Sequence, residues 1–407
     1  MIVVAGAGAA GLAAAIFART SGGNVLLLER TTDGGRKILI SGGGRCNVLP
    51  SSLHPEMFVT DSPAHLLRGM LRSWPLAAQR SFFENELGIP LAVEEATGKL
   101  FPVSNRARDV RDGLMAHARA KGVEVQTQTA VTGVSPIASS GAGEGPTWRV
   151  TTSRGNVDAP AVILATGGQS VPLTGSDGTG LAIARRLGHD IHPTYPALTP
   201  LTGSTPLLSS LSGVSLNVRL RAKWQGHTTE SRGGFLFTHR GYSGPAVLNV
   251  SHVAVRSRSA TLRVQWADCD AATWTRELAE APGLVVNVVA RRLPERLAEV
   301  LCLEAGIPPG RRGPELRRQE RSKLVEALTS YELPWSGDEG YRKAEVTGGG
   351  VALTDVNPRT LESVRHPGLF LCGEMLDAFG PIGGYNFAWA WATGRAAGLG
   401  AAGLTRA

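Results

Sequence analysis

Gly6, Gly8 and Gly11 stand in Gly-x-Gly-x-x-Gly spacing directly behind the apolar run Ile2-Val3-Val4-Ala5, and Glu29 follows Gly11 by 18 residues. Residues of these types in this order bind a dinucleotide. Gly6 permits a tight turn, Gly8 lets backbone approach a pyrophosphate, Gly11 lets a helix pack on a strand, and the carboxylate accepts the hydroxyls of an adenosine ribose. Three elements must position them: a short buried strand, a helix running to about Thr20 with its positive end at the phosphates, and a second strand, Asn24 to Leu28, that delivers Glu29. Residues 2–18 are all apolar or glycine, which would also suit a secretory leader. No basic residue precedes them, so the dinucleotide turn is preferred and a cytoplasmic location is expected.

A second glycine cluster follows: Gly34-Gly35-Arg36-Lys37, then Ser41-Gly42-Gly43-Gly44-Arg45-Cys46-Asn47. Three consecutive glycines cost backbone entropy, so something flat is expected against the loop. A flavin and its pyrophosphate fit, with amides of Gly42 to Gly44 toward anionic or carbonyl oxygen and Arg36, Lys37 and Arg45 offsetting phosphate charge. A third cluster lies near the C-terminus. Gly373-Glu374 and Asp377 end a strand where a ribityl or ribose hydroxyl can be held, and Gly383-Gly384-Tyr385-Asn386 opens a helix. Its dipole would face the flavin edge where reduction places negative charge. The cofactor set is completed by Ala10 in the first turn, Arg30 beside the acid, Val131, and Ala165-Thr166-Gly167 at the end of an apolar strand. His239 and Tyr385 are the candidate proton donors, with Tyr242 as an alternative, and Cys46 is a candidate flavin contact. A lone histidine at a strand end is commonly a structural hydrogen-bonder, and a lone cysteine is commonly core.

At 407 residues, the chain exceeds what one core usually spans. Composition is that of a soluble protein, with 42% hydrophobic and 19% charged residues and no convincing membrane-spanning stretch. The four cysteines lie far apart without a Cys-x-x-Cys pair, so no metal site is expected. The net charge is +8, and the stretch from Arg311 to Lys323 holds six basic against two acidic residues. Interleaved glutamates and the lack of aromatics favour a solvated helical face over a nucleic-acid groove. Val123 to Val131 and Trp148 to Thr152 read as antiparallel strands parted by the loop Ser139 to Pro146. Prolines at 193, 196, 200 and 206 mark a boundary. Beyond it, apolar and polar residues alternate over 214–222 and 262–266, as in strands buried on one face, and from about Asp270 the period becomes helical, with Pro294 near a helix start and Gly306 as its stop. The C-terminal helix is predicted to end near Gly394. Residues 1–195 and 345–407 are thus expected to form a discontinuous FAD-binding domain, 196–269 and 331–344 a β-rich insert, and 270–330 a helical subdomain.

Several motifs together resemble the BaiN-like, or aminoacetone-oxidase-like, bacterial flavoproteins over nearly the whole chain. They are residues 34–47, Phe101-Pro-Val-Ser-Asn105, Ala165-Thr-Gly-Gly168, Thr174 to Gly180, Phe237-Thr-His-Arg-Gly-Tyr-Ser-Gly-Pro245, Ala344 to Gly350, and Gly373-Glu through Asn386. The resemblance implies an α/β architecture: a glutathione-reductase-type FAD-binding Rossmann domain with an inserted β-barrel-like domain and a small helical subdomain. Many relatives carry glutamine two residues after the Gly-Gly-Tyr-Asn asparagine, where this chain has Ala388. The implied activity is an FAD-dependent oxidoreductase that reduces an activated C=C bond of a small-molecule substrate with electrons from NAD(P)H. The nicotinamide would bind transiently, since no second dinucleotide fingerprint is present. Two alternatives stand beside it: a flavin-dependent amine oxidase using oxygen, and an RNA-associated flavoprotein docking through Arg311 to Lys323. Neither a nucleic acid nor a membrane is the expected partner.

Overall fold

The computed structural model describes residues 1–137 and 147–404. The loop from Ser139 to Pro146 lies outside the described residues. The chain divides into two compact units, Met1–Thr194 with Val346–Ala407, and Tyr195–Glu345.

The first unit is built on a five-stranded parallel sheet in the order Leu369–Leu371, Ala161–Leu164, Ile2–Ala5 (β1), Val25–Leu28 (β2) and Glu124–Gln126. The first four strands are apolar and buried at every position, as strands covered on both faces are. Helix α1 (Ala9–Ala18) returns across the sheet and is almost wholly buried, which its short side chains permit. The last helix, Tyr385–Leu404, runs ten residues beyond Gly394, where the sequence predicted its end. A Cβ on Gly394 would sit 2.3 Å from Ala10 O, and one on Gly398 2.3 Å from Ala14 O. These glycines therefore do not stop the helix; they let its backbone touch that of α1.

The stretch 123–131 is not one strand. Glu124–Gln126 joins the parallel sheet, whereas Val131–Ile137 starts an antiparallel meander with Thr147–Thr152 and Gly155–Ala159. The break falls at Gln128, whose φ of +53° ends the extended run and turns its N–H to Thr31 O (2.9 Å).

The second unit carries a seven-stranded antiparallel sheet with Ser215–Trp224 between Thr261–Gln265 and His227–Phe237. The sequence separates a helical body at 270. The structure does not, because Trp274, Leu278, Leu297, Leu301, Leu324 and Leu328 share one core with Leu220, Leu262, Val264 and Trp266 of the sheet. Helix Glu295–Glu304 follows Pro294, and left-handed Gly306 comes two residues after its end, as predicted. No helix among the described residues is long and apolar enough to cross a membrane.

His252, on helix Pro245–Arg256, is buried, and burial lowers its pKa from 6.5 to about 4. Above about pH 6.5 the imidazole is neutral in both states; between there and about 4 only the unfolded chain takes up the proton, so stability falls as pH falls. The expected loss over that window is about 3 kcal/mol. Buried His189, also lowered by burial, adds to it with the same sign. Urea unfolding followed from neutral to mildly acidic pH checks this: His252→Gln should flatten the dependence, and an unaltered slope would show that the histidine is not its source.

Candidate functional site

Between β1 and α1 the chain turns at Gly6, whose φ is +101°. Two close approaches require glycine here: a Cβ on Gly6 would lie 2.6 Å from Ala165 O, and one on Gly11 1.8 Å from Gly6 O. Gly8 differs, since a Cβ there would meet nothing within 4 Å. The turn thus has a packed floor and an open roof at the start of a ten-residue helix, the geometry that admits a pyrophosphate. Glu29 pins it. Its Oε2 accepts from Ala7 N (2.8 Å), and Oε1 accepts from Thr31 N (2.8 Å) and Thr31 Oγ1 (2.7 Å). A carboxylate offers about four acceptor positions, so room for a ribose hydroxyl remains.

Beside Glu29 opens a cavity of about 490 Å³ lined by Arg30, Thr31, Gln128, Ser153 and Asp177, among others. Its size suits an adenosine. Arg30 is ion-paired with Asp177, and Val131 follows Ala130 of the cavity wall. The sequence marked Asp177 only within the Thr174 to Gly180 motif and assigned no cofactor role to it, Gln128 or Ser153, which come from segments far apart in the chain. Ala165, Thr166 and Gly167 form the floor. Ala165 packs under Gly6, Thr166 Oγ1 donates to Met375 Sδ (3.3 Å), and Gly167 is left-handed (φ +76°) against Ser176. Ala10 faces Gly373, where an added Cβ would be 2.6 Å from Ala10 Cβ.

In the second cluster Gly42, Gly43 and Gly44 are left-handed (φ +56°, +67° and +85°) and exposed, and a Cβ on Gly43 would meet nothing within 4 Å. Such a bare run can lie flat against a ring. The cations around it are committed elsewhere, contrary to the expectation of phosphate partners. Arg36 Nε donates to Asp33 (2.8 Å), Arg45 Nη1 to Glu94 (3.0 Å) while stacking 4.0 Å from the Phe101 ring centroid, and Lys37 Nζ to Glu374 Oε2 (2.7 Å) and Ser170 Oγ (2.6 Å). Each has found a carboxylate, which compensates a cation better than water does when both are half-buried. Glu374 is likewise engaged: Oε1 accepts from Ser170 Oγ (2.6 Å) and Thr347 N (3.0 Å). Ser170 and Thr347 lie too far along the chain from Lys37 for any local pattern to have paired them. Cys46 is fully buried with its thiol pushed up to about 12 by burial, and its N–H donates to Ser41 O (3.0 Å).

Asp377 is a clear correction. Its Oδ2 accepts from Thr60 Oγ1 (3.0 Å), Asp61 N (2.9 Å), Ser62 N (2.9 Å) and Ser62 Oγ (2.8 Å), and the residue is 2% exposed. It organises the 60–62 loop instead of waiting for a hydroxyl. Asp377→Ala would strand these buried donors and is expected to cost about 3 kcal/mol, read as a shift in the urea midpoint; a loss below about 1 kcal/mol would mean that water replaces the carboxylate.

The second and third clusters meet at Asn47, whose side chain accepts from Gly384 N (3.0 Å) and donates to Leu49 O (3.1 Å). Gly383 and Gly384 have φ of +130° and +92°, and a Cβ on Gly384 would lie 2.4 Å from the Leu49 carbonyl carbon. Asn386 closes the turn by accepting from Gly380 N and donating to Gly380 O, both at 2.9 Å. Tyr385 is half-buried with its ring 5.6 Å from that of Phe58, and burial raises its phenol above the ordinary value. The other two acid candidates belong to the second unit. His239 is exposed, with Nδ1 3.0 Å from Ser212 Oγ, whereas Tyr242 is fully buried against Phe235 and Phe237, a core position.

A sequence model of the HI0933-like protein Rossmann domain matches residues 1–400. Among curated proteins, the chain is 33% identical to the ribosomal RNA dihydrouridine synthase of Escherichia coli K12, over 96% of this chain and 95% of that one. It is 31% identical to the 3-dehydro-bile acid delta(4,6)-reductase of Clostridium scindens, over 98% of both. Among solved structures, 3-ketosteroid delta1-dehydrogenase from Sterolibacterium denitrificans superposes with a TM-score of 0.54 at 12% identity, covering 99% of each chain, a likeness of fold.

Proposed function

The chain belongs to the HI0933-like Rossmann family, and on that premise we propose that it reduces a carbon–carbon double bond conjugated to a carbonyl, using FAD and electrons from NAD(P)H. It is an enzyme of the FAD-dependent oxidoreductase class. The observation that carries the reading is the first turn, packed below and open above Gly8, with the cavity at Glu29 able to receive the adenosine. When bound, FAD supplies the electron transfer. The chain's own residues hold and protonate. The α1 N-terminus and the Gly6–Gly11 turn take the pyrophosphate, Glu29 takes a ribose hydroxyl while pinning the turn, and the bare Gly42–Gly44 backbone receives the flat ring. Tyr385, a phenol that carries its proton at neutral pH and whose burial only raises its pKa further, is the proton source in the same unit as these groups.

The C. scindens relative is named for reducing a bile acid, and the E. coli relative for making dihydrouridine in ribosomal RNA. Saturating the C5=C6 bond of uracil, conjugated to the C4 carbonyl, is the same chemistry as saturating an enone. A uracil base in ribosomal RNA is therefore the second substrate reading, favoured by that kinship and by the net charge of +8. Anaerobic mixing of the yellow holoenzyme with NADPH, NADH or candidate amines is the test. Rapid bleaching by a nicotinamide and recolouring by an enone or by uracil-containing RNA are expected; bleaching by an amine alone would make it an oxidase.

A further inference from the structure

The second unit displays a charge arrangement that the Arg311–Lys323 run does not. In that run Arg311 pairs with Glu320 (3.5 Å), and Glu315 and Glu320 accept from the backbone of Arg312 (3.1 Å) and Arg317 (2.9 Å), which makes it a capped and solvated helix start. The sheet is different. On strand Ser215–Trp224, Val218, Leu220 and Ala222 are buried, so Arg219, Arg221 and Lys223 point outward. Register then fixes their neighbours. Arg219 lies between Gln265 and Arg232, Arg221 between Arg263 and Glu230, and Lys223 between Thr261 and Thr228. Nine adjacent outward positions on three strands thus hold five cations, one carboxylate and three uncharged polar residues, with no apolar side chain among them.

Two of these cross-strand pairs, Arg219 with Arg232 and Arg221 with Arg263, set like charges directly opposite each other. Such pairs destabilise a sheet by about 0.2–1 kcal/mol each. Glu230 relieves part of this by reaching Arg221 (2.7 Å), Arg232 (3.4 Å) and Arg219 (3.5 Å), and Glu332 meets Arg263 (3.3 Å) at the border. The guanidinium groups of Arg221, Arg232 and Arg263 stay half-exposed. A sheet face that only had to be soluble would alternate its signs. With Glu332 and Asp268 (3.7 Å from Arg219) counted at the border, this one still holds five cations against three carboxylates, a positive excess on a polar surface that complements a chain of phosphates.

We propose that this outward sheet face docks RNA through its sugar–phosphate backbone, the choice of RNA among polyanions resting on the second substrate reading above. Contacts of this kind position a nucleic acid without reading its sequence, and they release counterions, so binding must weaken with salt.

The test uses the FAD-loaded full chain and a fluorescein-labelled RNA hairpin, with Lys223→Ala/Arg232→Ala/Arg263→Ala as the variant, which leaves the Arg221–Glu230 pair in place. Each lost phosphate contact lowers the log–log salt slope by about 0.7–0.9, so the slope should fall by about 2 to 3 and affinity at low salt by tenfold or more. Flavin content and bleaching by the electron donor should not change, and the melting temperature should hold, since the half-exposed ion pairs lost to Glu230 and Glu332 are offset by the two like-charge pairs relieved. Wild-type failure to bind the hairpin, or variant binding with the wild-type salt slope, overturns the proposal. The two readings can fail separately: a variant that loses the hairpin while the wild type saturates no uracil leaves the docking face standing without the RNA substrate, and a variant that still saturates uracil in RNA as the wild type does leaves the substrate without this face.

Discussion

Gly11→Val is expected to yield a colourless protein that takes up FAD at least about 100-fold more weakly than wild type, a loss of about 2.7 kcal/mol of binding. A Cβ at position 11 would stand 1.8 Å from Gly6 O, and valine adds two methyl groups, so either α1 lifts from the turn or Gly6 leaves the left-handed conformation that Ala165 O supports from below. Both outcomes move the amides that face the opening over Gly8. Flavin absorbance after purification and a fluorescence titration with FAD measure the effect. Gly88→Ala, at an exposed loop position outside the site, is the control: a Cβ there meets nothing within 4 Å, and its φ of +66° should cost only about 1 kcal/mol in backbone strain. A Gly11→Val protein as yellow as wild type would remove the turn from the cofactor site.

Gly394→Leu should have the larger effect on stability, a loss of about 3 kcal/mol or more by chemical denaturation. The α-carbon sits where the C-terminal helix crosses α1, with an added Cβ 2.3 Å from Ala10 O and 3.0 Å from Ala13 Cβ. Neither neighbour can yield, because α1 is pressed against the sheet on its other side. Because α1 also carries the turn, flavin should be lost with stability. Gly403→Leu, on the same helix with nothing within 4 Å, should change neither by much; equal losses in the two variants would point to helix length instead of the crossing.

The parts of this protein that were legible in the chain alone are those governed by local rules. A buried strand, a glycine triplet and an acid at a set distance can be read because the turn, the helix start and the second strand are built from consecutive residues, and the alternation at 214–222 gave its strand for the same reason. What went astray depended on partners distant in sequence. Gly394 looked like a stop because nothing nearby shows that α1 lies against it. Lys37, Arg45 and Asp377 looked available because Glu374, Glu94 and the 60–62 loop are brought to them only by folding. The positive sheet face escaped notice altogether, its cations being spread from Arg219 to Arg263, while in the conspicuous run at 311–323 Arg311 pairs with Glu320, and Glu315 and Glu320 cap the backbone. Local backbone geometry is written in neighbouring residues, whereas charge compensation and close helix crossing are settled by which surfaces meet; the first could be taken from the order of amino acids, and the second belonged to the folded chain.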